Sequence, residues 1–536
     1  MNRIPSIRNF LGRTTSVPLA VFVVIMTATP GVMLFRHLPS GITLLQTDPS
    51  VWTSFLDTLT FSVLFAILAL ATSLPLAVVL VQYLPARIRL PLLLASLSIW
   101  ALPDILLNQA VSRLFSQPIL APLAFSVSPA LVALLLRATL PLAFILGESI
   151  AGLRPLGIAA SNAGASRGHL FRAFILPNAY AACALVGCVA LSIGSSFRYF
   201  GGRVDGFVPL ASLLDSRFYA LSPEHRASAD GIAALQLSLA FIPLVVTLVL
   251  PRLPARQATD PHDCPAWPPP LRSRVPLAAL FLFVTIAAGI VTSLVSLFIA
   301  APPFDPGASA LANVTMSGPV ATSVTLSTLA LLLASLLVLP AALEVSQRRH
   351  KLAGVLFILV LLPLALPQEV FAYAIYLLTR RFEAMMGGSI PDALWLTLFL
   401  TYRIIPLVFL FSVFGFSAVS RQEIQAARNL GASAAEVATS VILPRAWPFV
   451  VVGLVLAYLV LINDYSLSAY LSQNEQLLGV AMTHVLLQHG DAFAMILACG
   501  ITVTTFVTLL FVVAYGMKVQ RPRLLQGIQG KYGRSP

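Results

Sequence analysis

Apolar runs of about 20 residues recur along the whole chain, and most charged residues lie between them. A run of that length is what a helix needs to cross the hydrocarbon core of a bilayer. No water satisfies the backbone there, so each run must close its own hydrogen bonds as a helix. The pattern predicts an all-α, polytopic membrane protein. Charged residues make up 10% of the 536 residues, against roughly 25% in soluble domains. The net charge of +13 comes from Arg and Lys in short loops beside apolar runs. That is the pattern of membrane loops, and no nucleic-acid partner is expected. Cys183, Cys188 and Cys499 lie in apolar runs and Cys264 in a polar stretch, a spacing that fits neither a metal site nor a disulfide framework.

The runs predict about twelve transmembrane helices in two sets. The first six fall near residues 17–35, 54–83, 90–111, 128–147, 179–197 and 231–250. The second six fall near 277–299, 322–346, 354–378, 394–416, 447–466 and 494–516. The first run lacks a small-residue cleavage site and reads as a retained helix. Between the sets, 251–276 is rich in proline (Pro251, Pro254, Pro261, Pro265, Pro268, Pro269, Pro270, Pro276) and carries Arg252, Arg256, Arg272 and Arg274. Proline at this density prevents helix and favours an extended spacer. The expected organisation is therefore a first repeat over 1–250, a linker over 251–276, a second repeat over 277–520 and a tail over 521–536.

Landmarks recur at a nearly constant interval. Leu74-Pro75 returns as Leu339-Pro340, Ala101-Leu102-Pro103 as Ala365-Leu366-Pro367 and Pro141 as Pro406, each close to half the chain length further on. With an even number of spans per set, the two six-helix repeats are parallel. The clustered basic residues set the orientation. The N-terminal Arg3, Arg8 and Arg13, then Arg87, Arg89, the linker, Arg348-Arg349-His350-Lys351 and the tail Lys518, Arg521 and Arg523 fall on one side, which is read as cytoplasmic together with both termini. Arg36, Arg113, Arg198, Arg203, Arg217, Arg226, Arg380 and Arg381 fall outside against this bias.

One polar stretch is carried twice. Residues 158–177 contain Ala159-Ala160, Asn162, Gly164-Ala165-Ser166 and Ile175-Leu176-Pro177. Residues 425–444 contain Gln425, Ala426-Ala427, Asn429, Gly431-Ala432-Ser433 and Ile442-Leu443-Pro444. The two glycines are separated by half the chain length. In each copy alanines favour helix, glycine permits a turn, and the serine two residues later can cap the next helix. The closing Leu-Pro puts proline at the start of a span, where its missing N–H costs little. The expectation is a helix–turn–helix at the cytoplasmic surface, presented twice. An ordinary interfacial loop has no reason to repeat these residues at matched positions.

The pattern Ala-Ala-x3-Gly-x9-[Ile/Val]-x-Leu-Pro resembles the EAA loop of permease subunits in binding-protein-dependent ABC importers of type I. Ala426, Ala427, Gly431, Val441, Leu443 and Pro444 fit it, as do Ala159, Ala160, Gly164, Leu176 and Pro177, with Phe174 in place of the branched aliphatic residue. Both copies lack the leading glutamate, which is Ile158 in one and Gln425 in the other. The resemblance implies that each stretch is a coupling helix seated in an ABC ATPase subunit, two copies in all. It implies an extracytoplasmic solute-binding protein as second partner and the bacterial inner membrane as location. A fused double permease of this size is similar to ferric-iron and thiamine importer permeases.

No Gly-x4-Gly-Lys-[Ser/Thr] loop occurs, so ATP is expected to be used by the partner subunit and no cofactor by this chain. No metal-ligating or nucleophilic constellation occurs, and an enzyme is not expected. Asp104, Arg137, Glu369, Arg403 and Asp464 lie in or at the ends of spans, where burying charge is costly. They either line a translocation pathway or pair internally. Arg198, Arg203, Asp205, Arg380 and Arg381 in outer loops are candidate contacts for the binding protein. The alternative reading is a twelve-span secondary transporter. That class carries a Gly-x3-Asp-x2-Gly-Arg-type motif between spans two and three, where this chain has Pro85-Ala86-Arg87-Ile88-Arg89. The substrate leaves no readable signature.

Overall fold

The computed structural model describes residues 16–83, 128–152, 208–218, 223–249, 274–299, 317–347, 367–388, 391–417, 421–462 and 477–481, with isolated residues between them. These are helical throughout, without a strand among them. The helices are α1 (Val17–Phe35), α2 (Leu38–Thr47), α3 (Pro49–Tyr83), α4 (Ser128–Gly152), α5 (Leu210–Phe218), α6 (Pro223–Val249) and α7 (Arg274–Ile299). There follow α8 (Ser317–Gln347), α9 (Gln368–Met386), α10 (Asp392–Ser417), α11 (Arg421–Asn429), α12 (Ala434–Val437) and α13 (Leu443–Ile462).

Among the described residues, Val17–Phe35, Pro49–Leu80, Gly318–Ser346 and Asp392–Ser417 are long and apolar enough to cross a membrane. A fifth span forms if Ala438–Trp447 and Phe449–Ile462, bent by 50°, count as one. The bend falls at residue 448, a proline, which has no N–H to give to the helix ladder. The expected spans at 90–111, 179–197 and 494–516 lie outside the described residues. The ninth span differs from expectation. Instead of ending at 378, helix α9 begins after Pro367 and runs on to Met386. Pro367 itself takes ψ 131°, outside the helical region, so the helix starts after it.

Two helix pairs dominate the packing: α3 with α4, and α8 with α10, the latter joined by α13. Helices α1 and α7 each pack against helices far from them in sequence. Helix α1 packs against α8 and α9 as well as α6, while α7 packs against α3 and α4. Leu19, Val23 and Leu34 of α1 are buried in one core with Leu326, Phe371 and Phe399, and Phe283 and Ile286 of α7 pack on the other core, formed by Phe61, Phe65, Leu136 and Leu146. A hydrogen bond of 2.6 Å between the Thr27 and Tyr402 hydroxyls fastens α1 to α10. Lipid tails are as apolar as leucine, so helix association here depends on close packing and interhelical bonds. Glycines allow the close approaches: a Cβ on Gly41 of α2 would stand 2.6 Å from the Gly231 carbonyl oxygen of α6, and one on Gly415 of α10 would stand 2.7 Å from the Ala446 carbonyl oxygen of α13. Leu277, Phe281 and Leu336 are exposed, as lipid-facing residues should be.

Two helix starts are capped in the same way. The backbone N–H of Leu210, at the start of α5, donates to Thr58 Oγ1 of α3 at 2.8 Å. The backbone N–H of Leu478 donates to Ser323 Oγ of α8 at 2.7 Å. Thr58 and Ser323 stand at the same interval as the Leu-Pro landmarks, and Leu210 and Leu478 at very nearly the same one. Each hydroxyl satisfies a helix-start N–H that has no intrahelical partner.

Candidate functional site

The second polar stretch folds as a doubly capped turn. Helix α11 ends at Asn429, and Gly431 takes φ +85°, in the left-handed region that costs other residues about 1–2 kcal/mol. The N–H of Ala432 donates to the Ala427 carbonyl (3.1 Å) and that of Gly431 to the Arg428 carbonyl (2.9 Å), so carbonyls at the end of α11 are satisfied across the turn. Ala427 and Ala432 pack on the core beneath it. The next helix is then capped from both sides. The Glu436 N–H donates to Ser433 Oγ (3.3 Å), and the Ser433 N–H donates to Glu436 Oε2 (2.8 Å).

Outward, Gln425, Ala426, Arg428, Asn429, Leu430, Gly431 and Ser433 are exposed, Leu430 by 68%. A Cβ on Gly431 would meet nothing within 4 Å, so the glycine is required by backbone conformation and leaves the tip low. A π-helical turn, Ala438–Ile442, leads into α13, with Leu443 and Pro444 at its first two positions. Glu423 and Arg445 form an ion pair that ties α11 to the start of α13.

The first copy repeats this geometry where it is described. Gly164 also takes φ +85°, again with open space around it. The His169 N–H donates to Ser166 Oγ at 3.2 Å, the counterpart of Glu436 and Ser433. Ala159, Ala160, Leu176 and Pro177 lie outside the described residues.

Replacing Ser433 by alanine removes one capping oxygen, a loss of about 1 kcal/mol. Amide exchange at Glu436 is expected to accelerate roughly fivefold, that energy expressed as an equilibrium factor. Unchanged exchange would show that the cap does not hold the turn.

A second feature lies inside the helix bundle. Arg403 of α10 pairs through Nη1 with Asp464 Oδ1, just past the end of α13, and donates from Nη2 to Gln368 Oε1 at 2.8 Å. Asp464 and Glu369 are each 1% exposed, and Glu369 lies within electrostatic reach of Arg403. Three candidates thus come together, Glu369 from α9, Arg403 from α10 and Asp464 from just past α13. Arg137 lies partly buried on α4, and Asp104 lies outside the described residues. Gln368, Glu436, Leu430 and the Glu423–Arg445 pair escaped the sequence reading. Only the Ser-x-x-Glu spacing of Ser433 and Glu436 could have signalled one of them. No group of three or more His, Cys, Asp or Glu able to hold a metal occurs among the described residues.

These features define an all-helical, multi-pass membrane protein with an exposed turn carried twice. Residues 334–524 match the family of the binding-protein-dependent transport system inner membrane component. The matched segment is just over a third of the chain and holds the second turn and the Glu369–Arg403–Asp464 cluster. That family is one of membrane transport permeases. A search of curated proteins gave no match.

Proposed function

We propose that this chain is the transmembrane pathway of an ABC importer, built as two fused parallel repeats of six spans. The observation that carries the reading is the capped glycine turn, found twice at half-chain spacing with the same φ of +85°. The family match over 334–524 supports it from the second half. The hydroxyl-capped starts at Leu210 and Leu478 extend the likeness of the halves beyond the motif.

In this reading each turn seats in one ABC ATPase subunit at the cytoplasmic face of the bacterial inner membrane, and that subunit hydrolyses the ATP. Gln425, Ala426, Gly431 and Leu430 form one contact surface, Gly164 and its neighbours the other. A solute-binding protein delivers the substrate outside; the ferric-iron and thiamine importer resemblance gives the substrates to try first. Arg403, Asp464 and Glu369, with Arg137 and Asp104 from the first half, border the pathway, and the chain itself carries out no catalysis.

Topology tests the arrangement directly. Reporter fusions at Ala163, Pro261 and Ala432 are expected to be cytoplasmic, and fusions near Ser222 and Gln473 external. An external Pro261 would overturn the two-repeat arrangement.

A further inference from the structure

A crevice opens between α1, α6 and α9. It holds about 300 Å³ of space and is lined by Thr27, Gly31 and Leu34 of α1, Leu237 and Phe241 of α6 and Phe371 of α9. Two adjacent residues of α1 make room for it. Pro30 brings no N–H to the helix ladder, and a Cβ on Gly31 would meet nothing within 4 Å. Gly31 and Phe241 are half-buried and mark its mouth.

Contacts among the same helices hold the crevice in shape. Past the end of α1, His37 Nδ1 stands 3.8 Å from Asp230 Oδ2 of α6, and Asp230 Oδ1 accepts the Tyr373 hydroxyl of α9 at 2.6 Å. Phe35 of α1 meets Phe241 of α6 with ring centroids 5.5 Å apart. Thr27 carries the one polar side chain of the lining, and its hydroxyl is engaged by the Val23 carbonyl and the Tyr402 hydroxyl. Nothing is left for a buried water, which needs about two to four polar partners. Helix α1 is long and apolar enough to span a bilayer, and Val21, Ile25 and Val32 are exposed on its open face. The medium at the mouth is therefore lipid chain.

We propose that this crevice holds one acyl chain of an anionic phospholipid whose phosphate is bound by Arg36. Arg36 is exposed and follows Gly31 by five residues, about 7.5 Å along the helix axis. A guanidinium thus stands at the end of the span, above an apolar slot, and arginine meets phosphate with two parallel N–H donors. Basic groups beside membrane helices recognise anionic headgroups in this way. Arg36 also runs against the usual loop bias, so orientation alone does not account for it. The Asp230 carboxylate is taken up by Tyr373, with His37 beside it. A slot of this size cannot seat a helix of a second copy, which is about 10 Å across. Helices α1 and α6 come from the first half of the chain and α9 from the second, so the lipid chain joins the two. The inference needs only that α1 crosses the membrane and stands apart from the importer reading.

The test uses the full chain in phosphatidylcholine nanodiscs. These contain a trace of phosphatidylglycerol with a photoreactive diazirine in one acyl chain, or a matched phosphatidylcholine probe. Mass spectrometry is expected to place labels on Leu34, Leu237 and Phe371. Phosphatidylglycerol should give about fivefold more of them, the factor expected for one arginine near an anionic headgroup. Gly31→Leu fills the crevice and should remove these labels while those on Ile25 and Val32 persist. Arg36→Gln, at an exposed position, should bring the two probes level. Wild-type labels confined to the open face of α1 overturn the proposal, as does equal labelling of the crevice by the two probes. Crevice labels that survive Gly31→Leu overturn it too. If Gly31→Leu gives no monodisperse protein, the two probes on the wild type and Arg36→Gln decide alone.

Discussion

Gly431→Val protein is expected to reach the membrane in normal amount and to lose its ATPase partner. The residue sits at φ +85° with nothing within 4 Å of a built Cβ, so valine meets no clash. The cost is conformational, about 1–2 kcal/mol for left-handed backbone and more for a β-branched side chain. The chain can escape that cost by letting the turn relax, because the tip of the turn is exposed. Relaxation breaks the bonds from Gly431 and Ala432 to Arg428 and Ala427. It also moves Leu430, the most protruding apolar residue of the turn. Co-purification with the ATPase and substrate-stimulated ATP hydrolysis should both fall, with membrane yield constant. Gly164→Val is expected to be milder, since the first copy is further from the family pattern. Retention of ATPase and uptake by both variants would leave the importer proposal without its main support.

Arg403→Ala has its effect at the opposite level, on folding. The guanidinium pairs with Asp464 and bonds Gln368, joining α10 to α9 and to the end of α13. Removing it leaves a carboxylate that is 1% exposed without its counter-charge, a loss of about 3–5 kcal/mol for a broken buried pair. The yield of monodisperse protein in detergent should drop sharply. Adding Asp464→Asn should restore part of it, because the stranded charge is then gone. A single variant that folds and assembles normally but does not transport would instead assign the pair to the pathway.

The difference between these two cases tracks what was legible in the sequence. The turn is local: alanines, one glycine, a serine and a following proline each dictate backbone within a few residues, and Gly431, Ser433 and Pro444 could be assigned from chemistry alone. The start and end of α9 were harder. Pro367 breaks the apolar run from inside, and hydropathy alone cannot see where backbone geometry restarts a helix. The partner of Arg403 is not local at all. Asp464 lies 61 residues further on, just past the end of α13, and only packing decides that it, rather than Glu369, receives Nη1. Nor did any pattern announce that α1 and α7 pack far from their sequence neighbours, since both read simply as apolar helices.

That long-range packing of α1 has a consequence for how the protein is made. The partners of α1 in the second half, α8 and α9, begin at Ser317 and Gln368, so more than half the chain is synthesised between the end of α1 and the first of them. At roughly 5–20 residues per second, this is a wait of about 15–55 s. During it α1 must survive in lipid with the Thr27 hydroxyl turned back on its own helix, where it already bonds the Val23 carbonyl at 2.7 Å. The fold is therefore sealed late, when Tyr402 arrives from a helix made long after the one it locks. A ribosome that stops between α6 and α7 releases a chain whose opening helix has met α6 but not α8, α9 or Tyr402, a natural substrate for membrane quality control.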